Sequence, residues 1–159
     1  MENVGQSKNR NQKYFEKFSR EIVIRNIVNK EAPICLDVGA HNGESVVYFN
    51  KLFNSPLIYS FEPSPKSFEI LKNKNYKNNF CYNYAISNIT GNTVFYENDI
   101  SHTNSLVKIN SSSVDSIKKQ KTINSKINIK AIKLDDFIIE QKINKIDLLK
   151  IDVQGAESL

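Results

Sequence analysis

The sequence predicts an α/β fold built on a parallel sheet, and three observations carry that prediction. The apolar run Ile34-Cys35-Leu36 leads into Asp37, then the small-residue loop Val38-Gly39-Ala40-His41-Asn42-Gly43, then Glu44 at a helix start. A second apolar run, Leu57-Ile58-Tyr59-Ser60-Phe61, ends in a second acid, Glu62. A third run over 146–153 is interrupted by Asp147 and Lys150 and carries Asp152 near its end. Two parallel strands with an acid at each tip and a glycine turn between them form a nucleoside site. The tight loop brings a ligand to backbone N–H groups, and the second acid accepts hydrogen bonds from both ribose hydroxyls. The spacing from Gly43 to Glu62 fits the interval of about 20 residues expected of such a βαβ unit. The competing reading is an ordinary strand–turn–helix corner.

The loop also discriminates between cofactors. A dinucleotide fingerprint places glycines so that the backbone meets a pyrophosphate. Here His41 stands where the middle glycine belongs, and Asp37 opens the loop with negative charge. That environment repels a pyrophosphate and suits a cation. S-adenosylmethionine carries a sulfonium and an ammonium and no phosphate, so the residues favour it over NAD.

The elements follow in order. Residues 1–11 are polar and asparagine-rich and read as disordered; 12–159 read as one domain. A helix is expected over 12–30, with Phe15, Phe18 and Ile22 as its apolar stripe and Ile24, Ile27 and Val28 widening it. Strand one covers 34–38. A helix over 44–53 buries Val46, Val47 and Phe53, and Glu44 in its first turn suits the helix dipole. Strand two covers 57–61. Ser64-Pro65 reads as an N-cap followed by proline at the first helical position, opening a helix to 73 that buries Phe68 and Leu71. Strand three covers 80–86. Gly91-Asn92 reads as a turn before a short strand over 93–96. The polar stretch 98–126 is a long loop, of the kind that carries function. A strand over 127–132, a short helix from Leu134 and a central strand over 146–153 complete the chain.

Composition narrows the function classes. At 159 residues the chain is long enough for one real core. Its net charge is +5, but lysine supplies nearly all of the positive charge and is scattered, apart from Lys118, Lys119 and Lys121. A nucleic-acid surface concentrates arginine and interleaves aromatics, so a solvated lysine surface is the expectation and no nucleic-acid partner is expected. Cys35 and Cys81 fall in predicted strands with no metal-ligand spacing, which fits reduced core thiols, a cytoplasmic setting and no metal. No run has the roughly 18 apolar residues of a membrane span, and 1–13 lack the apolar segment of a signal peptide.

Three pieces in order resemble the FkbM family of S-adenosylmethionine-dependent methyltransferases. They are Asp37-Val38-Gly39-Ala40-His41-Asn42-Gly43, then Phe61-Glu62-Pro63-Ser64-Pro65, then Leu149-Lys150-Ile151-Asp152-Val153-Gln154-Gly155-Ala156-Glu157. The Leu134-Asp135-Asp136 segment is similar to the family too. The resemblance covers about 34–159. It implies a Rossmann-like class I methyltransferase, a three-layer sandwich with strand order 3-2-1-4-5-7-6, of which only strands one to four fit in this chain. On that reading the domain is truncated: strand four lacks a neighbour, and Leu148, Leu149 and Ile151 lose cover. Gln154 also departs from the glutamate usual in the family.

The resemblance implies O-methylation of a hydroxyl on a sugar or other small molecule, with S-adenosylmethionine as cofactor. The alternative is a non-catalytic nucleoside-binding or interaction remnant. The cofactor residues expected are Asp37, Gly39, Ala40, Asn42, Gly43 and Glu62, with Ala85 and Ile86 along the adenine. Asp37 orients the loop or the methionine ammonium, or simply caps a helix. Gly39 and Gly43 give close backbone approach, turn geometry, or both. Ala85 and Ile86 are equally consistent with plain core. Asp152, at the tip of strand four, binds the acceptor hydroxyl or serves as general base, with Glu157 beside it. Lys150 reads as a surface or ion-paired residue, and His41 and His102 as structural rather than acid–base groups. As a strand-tip carboxylate outside the core, Glu62 is expected to matter little for stability.

Overall fold

The computed structural model describes residues 18–97, 106 and 125–153. Glu157, Gln154, His102, Phe15, the lysine cluster at 118–121, the N-terminal 1–11 and nearly all of the loop 98–124 lie outside the described residues.

Helix α1 spans Arg20–Val28, shorter than the expected 12–30, of which 12–17 lie outside the described residues. The Ser19 hydroxyl accepts from the Ile22 N–H at 3.3 Å, and Asn29 closes the helix in the left-handed region, its N–H donating to the Arg25 carbonyl. Only Ile24 and Val28 pack on the core; Ile27 is exposed, so the apolar stripe is narrower than expected. Strand β1 is Ile34–Val38 and α2 is Glu44–Leu52. Within α2 the buried residues are Val46, Phe49 and Leu52, while Val47 faces solvent, contrary to expectation. Val46 and Phe49 are three apart and share one helix face; Val47 turns away from it. Phe53 is buried as the residue that ends the helix.

Strand β2 is Leu57–Phe61 and α3 is Pro65–Asn73. Ser64 stands at the N-cap position, but its hydroxyl does not cap; it donates to Glu97 Oε1 at 2.7 Å. Leu71 is buried and Phe68 only half-buried. The expected third strand is two strands, β3 at Asn79–Tyr82 and β4 at Tyr84–Ile86, which belong to different sheets. The break is at Asn83, whose amide donates to the Glu62 and Pro63 carbonyls at 2.8 and 3.1 Å. Strand β5 is Gly91–Glu97, so Gly91-Asn92 opens a strand rather than forming a turn. Strand β6 is Ser125–Ile132, α4 is Leu134–Glu140 and β7 is Leu148–Ile151.

The main sheet has the order β3-β2-β1-β7, all parallel. It corresponds to the expected 3-2-1-4 order. Strands β4, β6 and β5 make a second sheet, with β4 parallel and β5 antiparallel to β6. Alternation along the main strands builds two cores. Cys35 and Ile58 face α2 and α3, packing on Val46, Phe49 and Leu71. Leu36, Val38 and Phe61 face the other way and pack on Phe137 of α4. The Phe137 ring stands edge-on to Phe61 at 4.7 Å and to Tyr82 at 4.8 Å, an arrangement that aligns ring quadrupoles. These are the three layers.

The apolar run at 146–153 predicts a central strand, but β1 and β2 are the interior strands. Among the described residues β7 pairs only with β1, and Leu149 and Ile151 are 41% and 47% exposed. Cys35 is buried, and burial pushes its thiol up to about 12; Cys81 is only half-buried. Among the described residues no helix is long and apolar enough to cross a membrane.

Candidate functional site

The carboxyl ends of β1, β2, β4 and β7 converge on one cleft, the place where parallel sheets bind ligands. Its floor is Val38, Gly39 and Phe61. Glu62 and His41 stand on one side, Ala85 and Ile86 on another, and Asp152 at the β7 tip. Phe95 and Leu106 form a wall outside the main sheet. The cleft encloses about 80 Å³, below the roughly 300–1,000 Å³ of small-molecule pockets.

Glu62 is held more firmly than a strand-tip acid requires. It is only 6% exposed. Its Oε2 accepts the His41 N–H at 2.7 Å and its Oε1 the Ser64 N–H at 2.9 Å. Each carboxylate oxygen has a lone pair to spare for a further donor. Burial pushes the Glu62 carboxyl up to about 7; the Ser64 and His41 N–H groups oppose the shift, and the charges of Asp37 and Glu97 add to it. Glu62 is thus buried rather than outside the core, and its removal would leave the His41 and Ser64 N–H groups without this acceptor.

The loop does not offer its N–H groups to a ligand, contrary to the expectation that a ligand reaches them. The N–H groups of Gly39 and Ala40 both donate to the Phe61 carbonyl at 3.0 Å, that of His41 to Glu62, and that of Gly43 to the Ala40 carbonyl at 2.8 Å. They are turned onto β2 and the loop itself. The glycines are explained by packing and φ. Gly39 has φ +78°, and a Cβ there would fall on the Asp152 carbonyl oxygen. Gly43 has φ +91°, and a Cβ would meet Leu71 Cδ1 and Tyr76 Cε2 at 2.8 Å. L-residues avoid this backbone region.

Of the residues expected at the site, Gly39, Glu62, Ala85, Ile86 and Asp152 line the cleft. Asp37, Ala40, Asn42 and Gly43 lie behind it. Asp37 is fully buried, and Lys150 Nζ donates to its Oδ1 at 3.1 Å. Burial raises the Asp37 carboxyl, and the Lys150 charge and hydrogen bond oppose that rise. Asn42 Oδ1 is buried without a hydrogen-bond partner among the described residues, and the Ser45 hydroxyl also opposes the rise at Asp37. His41 lines the cleft, and its Nδ1 lies 3.5 Å from Glu44 Oε2. Among the described residues no cluster of three or more metal-ligating side chains exists.

Sequence reasoning missed Phe95 and Tyr84, which line the cleft from the second sheet, and Leu106, which lines it from outside both sheets. Lys150 is ion-paired, as expected, with Asp37 and Asp152. No local signal identifies Phe95 and Tyr84, because the second sheet is assembled from segments far apart in sequence.

The family profile described as the methyltransferase FkbM domain matches residues 37–158. No curated protein and no solved structure matches the chain.

Proposed function

The chain belongs to the FkbM methyltransferase family, and from that premise we propose that it is an S-adenosylmethionine-dependent O-methyltransferase acting on a hydroxyl of a sugar or other small molecule. The observation that carries the cofactor choice is the fate of the loop N–H groups. Those of Gly39, Ala40, His41 and Gly43 are all engaged by protein acceptors. A pyrophosphate would find no donors among them, whereas a ribose finds the spare lone pairs of Glu62. The donor set thus fits a nucleoside without phosphates.

When bound, S-adenosylmethionine supplies an electrophilic methyl group on a sulfonium. Glu62 accepts the ribose hydroxyls. Ala85, Ile86 and Phe95 would offer the adenine an apolar wall. Asp152, 53% exposed at the cleft mouth, accepts the hydrogen bond of the acceptor hydroxyl and takes its proton late in the displacement. Most of the rate comes from holding the acceptor oxygen in line.

Calorimetric titration tests the cofactor. S-adenosylhomocysteine should bind and NADH should not; the reverse preference sinks the assignment. Labelled methyl transfer to a panel of hydroxylated acceptors then separates an enzyme from a binding remnant. Asp152→Asn should leave S-adenosylhomocysteine affinity intact and lower turnover by roughly 10²–10⁴, the usual contribution of a positioned acid or base.

A further inference from the structure

Lys150 sits on β7 directly opposite Asp37 on β1. Its ammonium reaches three oxygens that belong to different parts of the cleft. Asp37 Oδ1 is at 3.1 Å, the Gly39 carbonyl at 3.4 Å and Asp152 Oδ2 at 3.8 Å. The first is buried beneath the floor, the second is in the loop, and the third is on the acceptor side. An independent contact joins the same parts: Gly39 lies so close to the Asp152 backbone that no side chain fits between them. We propose that Lys150 is the positioning residue of this cleft, clamping the Gly39 loop to the Asp152 tip so that cofactor and acceptor groups share one register. Its bearing on catalysis rests on the methyltransferase reading; the clamp itself does not.

The charges around Asp37 make a lysine the suitable clamp. Asp37 faces Lys150 and Asp152 from β7, Glu62 from the end of β2, Cys35 from its own strand and the Ser45 hydroxyl from α2. Lys150 is the only cation among these groups. A neutral side chain at 150 would leave Asp37, Asp152 and Glu62 as an uncompensated acidic cluster. An ammonium on a flexible stem also reaches a carbonyl and two carboxylates together, since it offers three donors.

The test must separate positioning from simple charge neutralisation. Lys150→Met alone exposes Asp37 to an unpaired burial. The double variant Asp37→Asn/Lys150→Met removes one charge of each sign, leaves the net charge of the cluster unchanged and buries no unpaired Asp37 charge, so it should fold. Two readouts are taken on the full chain. The first is amide hydrogen exchange at Gly39, Ala40 and Asp152, whose N–H groups donate to Phe61, Phe61 and Val38 carbonyls. In the double variant these amides should exchange about tenfold faster, the loss expected of one hydrogen bond to a charged group. Ile58, bonded to Asn78 in the adjoining seam, should not change. Lys150→Arg should retain the protection. The second readout is S-adenosylhomocysteine affinity, which should fall about tenfold in the double variant for the same reason and recover in Lys150→Arg. A folded double variant with unchanged exchange at all three amides overturns the clamp. Faster exchange that includes Ile58 equally also overturns it, since that pattern reports global destabilisation. If the unaltered chain binds no S-adenosylhomocysteine, the cofactor reading fails while the exchange result still decides the clamp.

Discussion

The seam between β1 and β7 carries a lysine–carboxylate pair at each end; the two carboxylates are 4% (Asp147) and 0% (Asp37) exposed, and the donors each receives separate them. At the lower end Asp147 Oδ1 meets Lys30 at 2.8 Å and Lys145 at 3.4 Å, and its Oδ2 accepts the Ile34 N–H at 3.0 Å. The lysines are themselves 42% and 68% exposed, so water reaches the network through them. The Lys30 hydrogen bond, then the Ile34 N–H, hold the Asp147 carboxyl down at about 2. At the upper end Asp37 is sealed under the cleft, and its carboxyl is raised by burial despite Lys150. Two similar pairs, on the same two strands, thus move the acid in opposite directions. The balance between desolvation and the donors on each acid decides the sign: Asp147 has Lys30, Lys145 and the Ile34 N–H against it, whereas desolvation outweighs Lys150 at Asp37. The lower pair fastens the strands at their start. The upper pair holds a costly charge under the site, which is where pKa perturbation and function tend to coincide.

The largest expected effect comes from breaking the upper pair. Lys150→Met should destabilise the chain by about 3–5 kcal/mol, the usual result of leaving one partner of a buried pair alone. Lys30→Met at the lower end should cost distinctly less, because Lys145 and the Ile34 N–H remain on Asp147. Urea unfolding of the two variants checks the contrast, and equal losses would remove the distinction between the ends. Gly39→Ala strikes the same upper end through the backbone. The left-handed φ costs about 1–2 kcal/mol for an L-residue, and the clash with the Asp152 backbone adds about 1–3 kcal/mol of overpacking. Thermal unfolding should show that loss, while Gly91→Ala, where a Cβ meets nothing within 4 Å, should lose less.

Glu62 extends the comparison to a buried acid without a lysine. Glu62→Ala should destabilise by about 1–3 kcal/mol through its two stranded N–H groups. It should also weaken S-adenosylhomocysteine by about 1.5–3 kcal/mol, the range for bonds to a charged group. Titration separates the acids further. Glu62 is raised from its usual 4.5 to about 7. Its contribution is therefore complete below its unfolded value and fades as pH rises through about 7. Ribose hydroxyls favour the ionised form, so cofactor affinity should strengthen over that same rise. Asp147 is lowered from 3.8 to about 2. Its contribution is complete above the unfolded value and fades as pH falls toward 2. Denaturation midpoints from pH 2 to 8 should therefore show an acid-side loss that Asp147→Asn removes. Because its partners are exposed lysines, added salt should shrink this smallest effect.

Parts of this site are legible without coordinates. Asp37 and Glu62 end apolar runs that alternate correctly, and Gly39 and Gly43 mark turns whose φ values are indeed positive. Strands β1 and β2 and helix α3 match their expected spans, since each has a local signal: an apolar run, or a proline at the first helical turn. Asn83 is different. The apolar alternation over 80–86 continues through it, so nothing local betrays the switch from one sheet to another. The switch comes from its amide bonding the Glu62 and Pro63 carbonyls. Val47 and Ile27 mislead in the same way, being apolar residues whose helix face meets no core.

What the sequence determined by itself was the βαβ frame and the position of its acids, because strand alternation and turn chemistry act over a few neighbouring residues. What only the tertiary structure decided was which charges meet. Lys150 and Asp37 are 113 positions apart, and their contact exists because β7 pairs with β1 in one register. A shift of one residue would turn Lys150 to the opposite face of the sheet, toward Phe137 instead of Asp37. The pairing of β1 with β2 turns the loop N–H groups onto Phe61 and Glu62, and that of β7 with β1 places Asp152 at the cleft. Long-range pairing, set by burial of both sheet faces, is what converts a legible set of residues into a site.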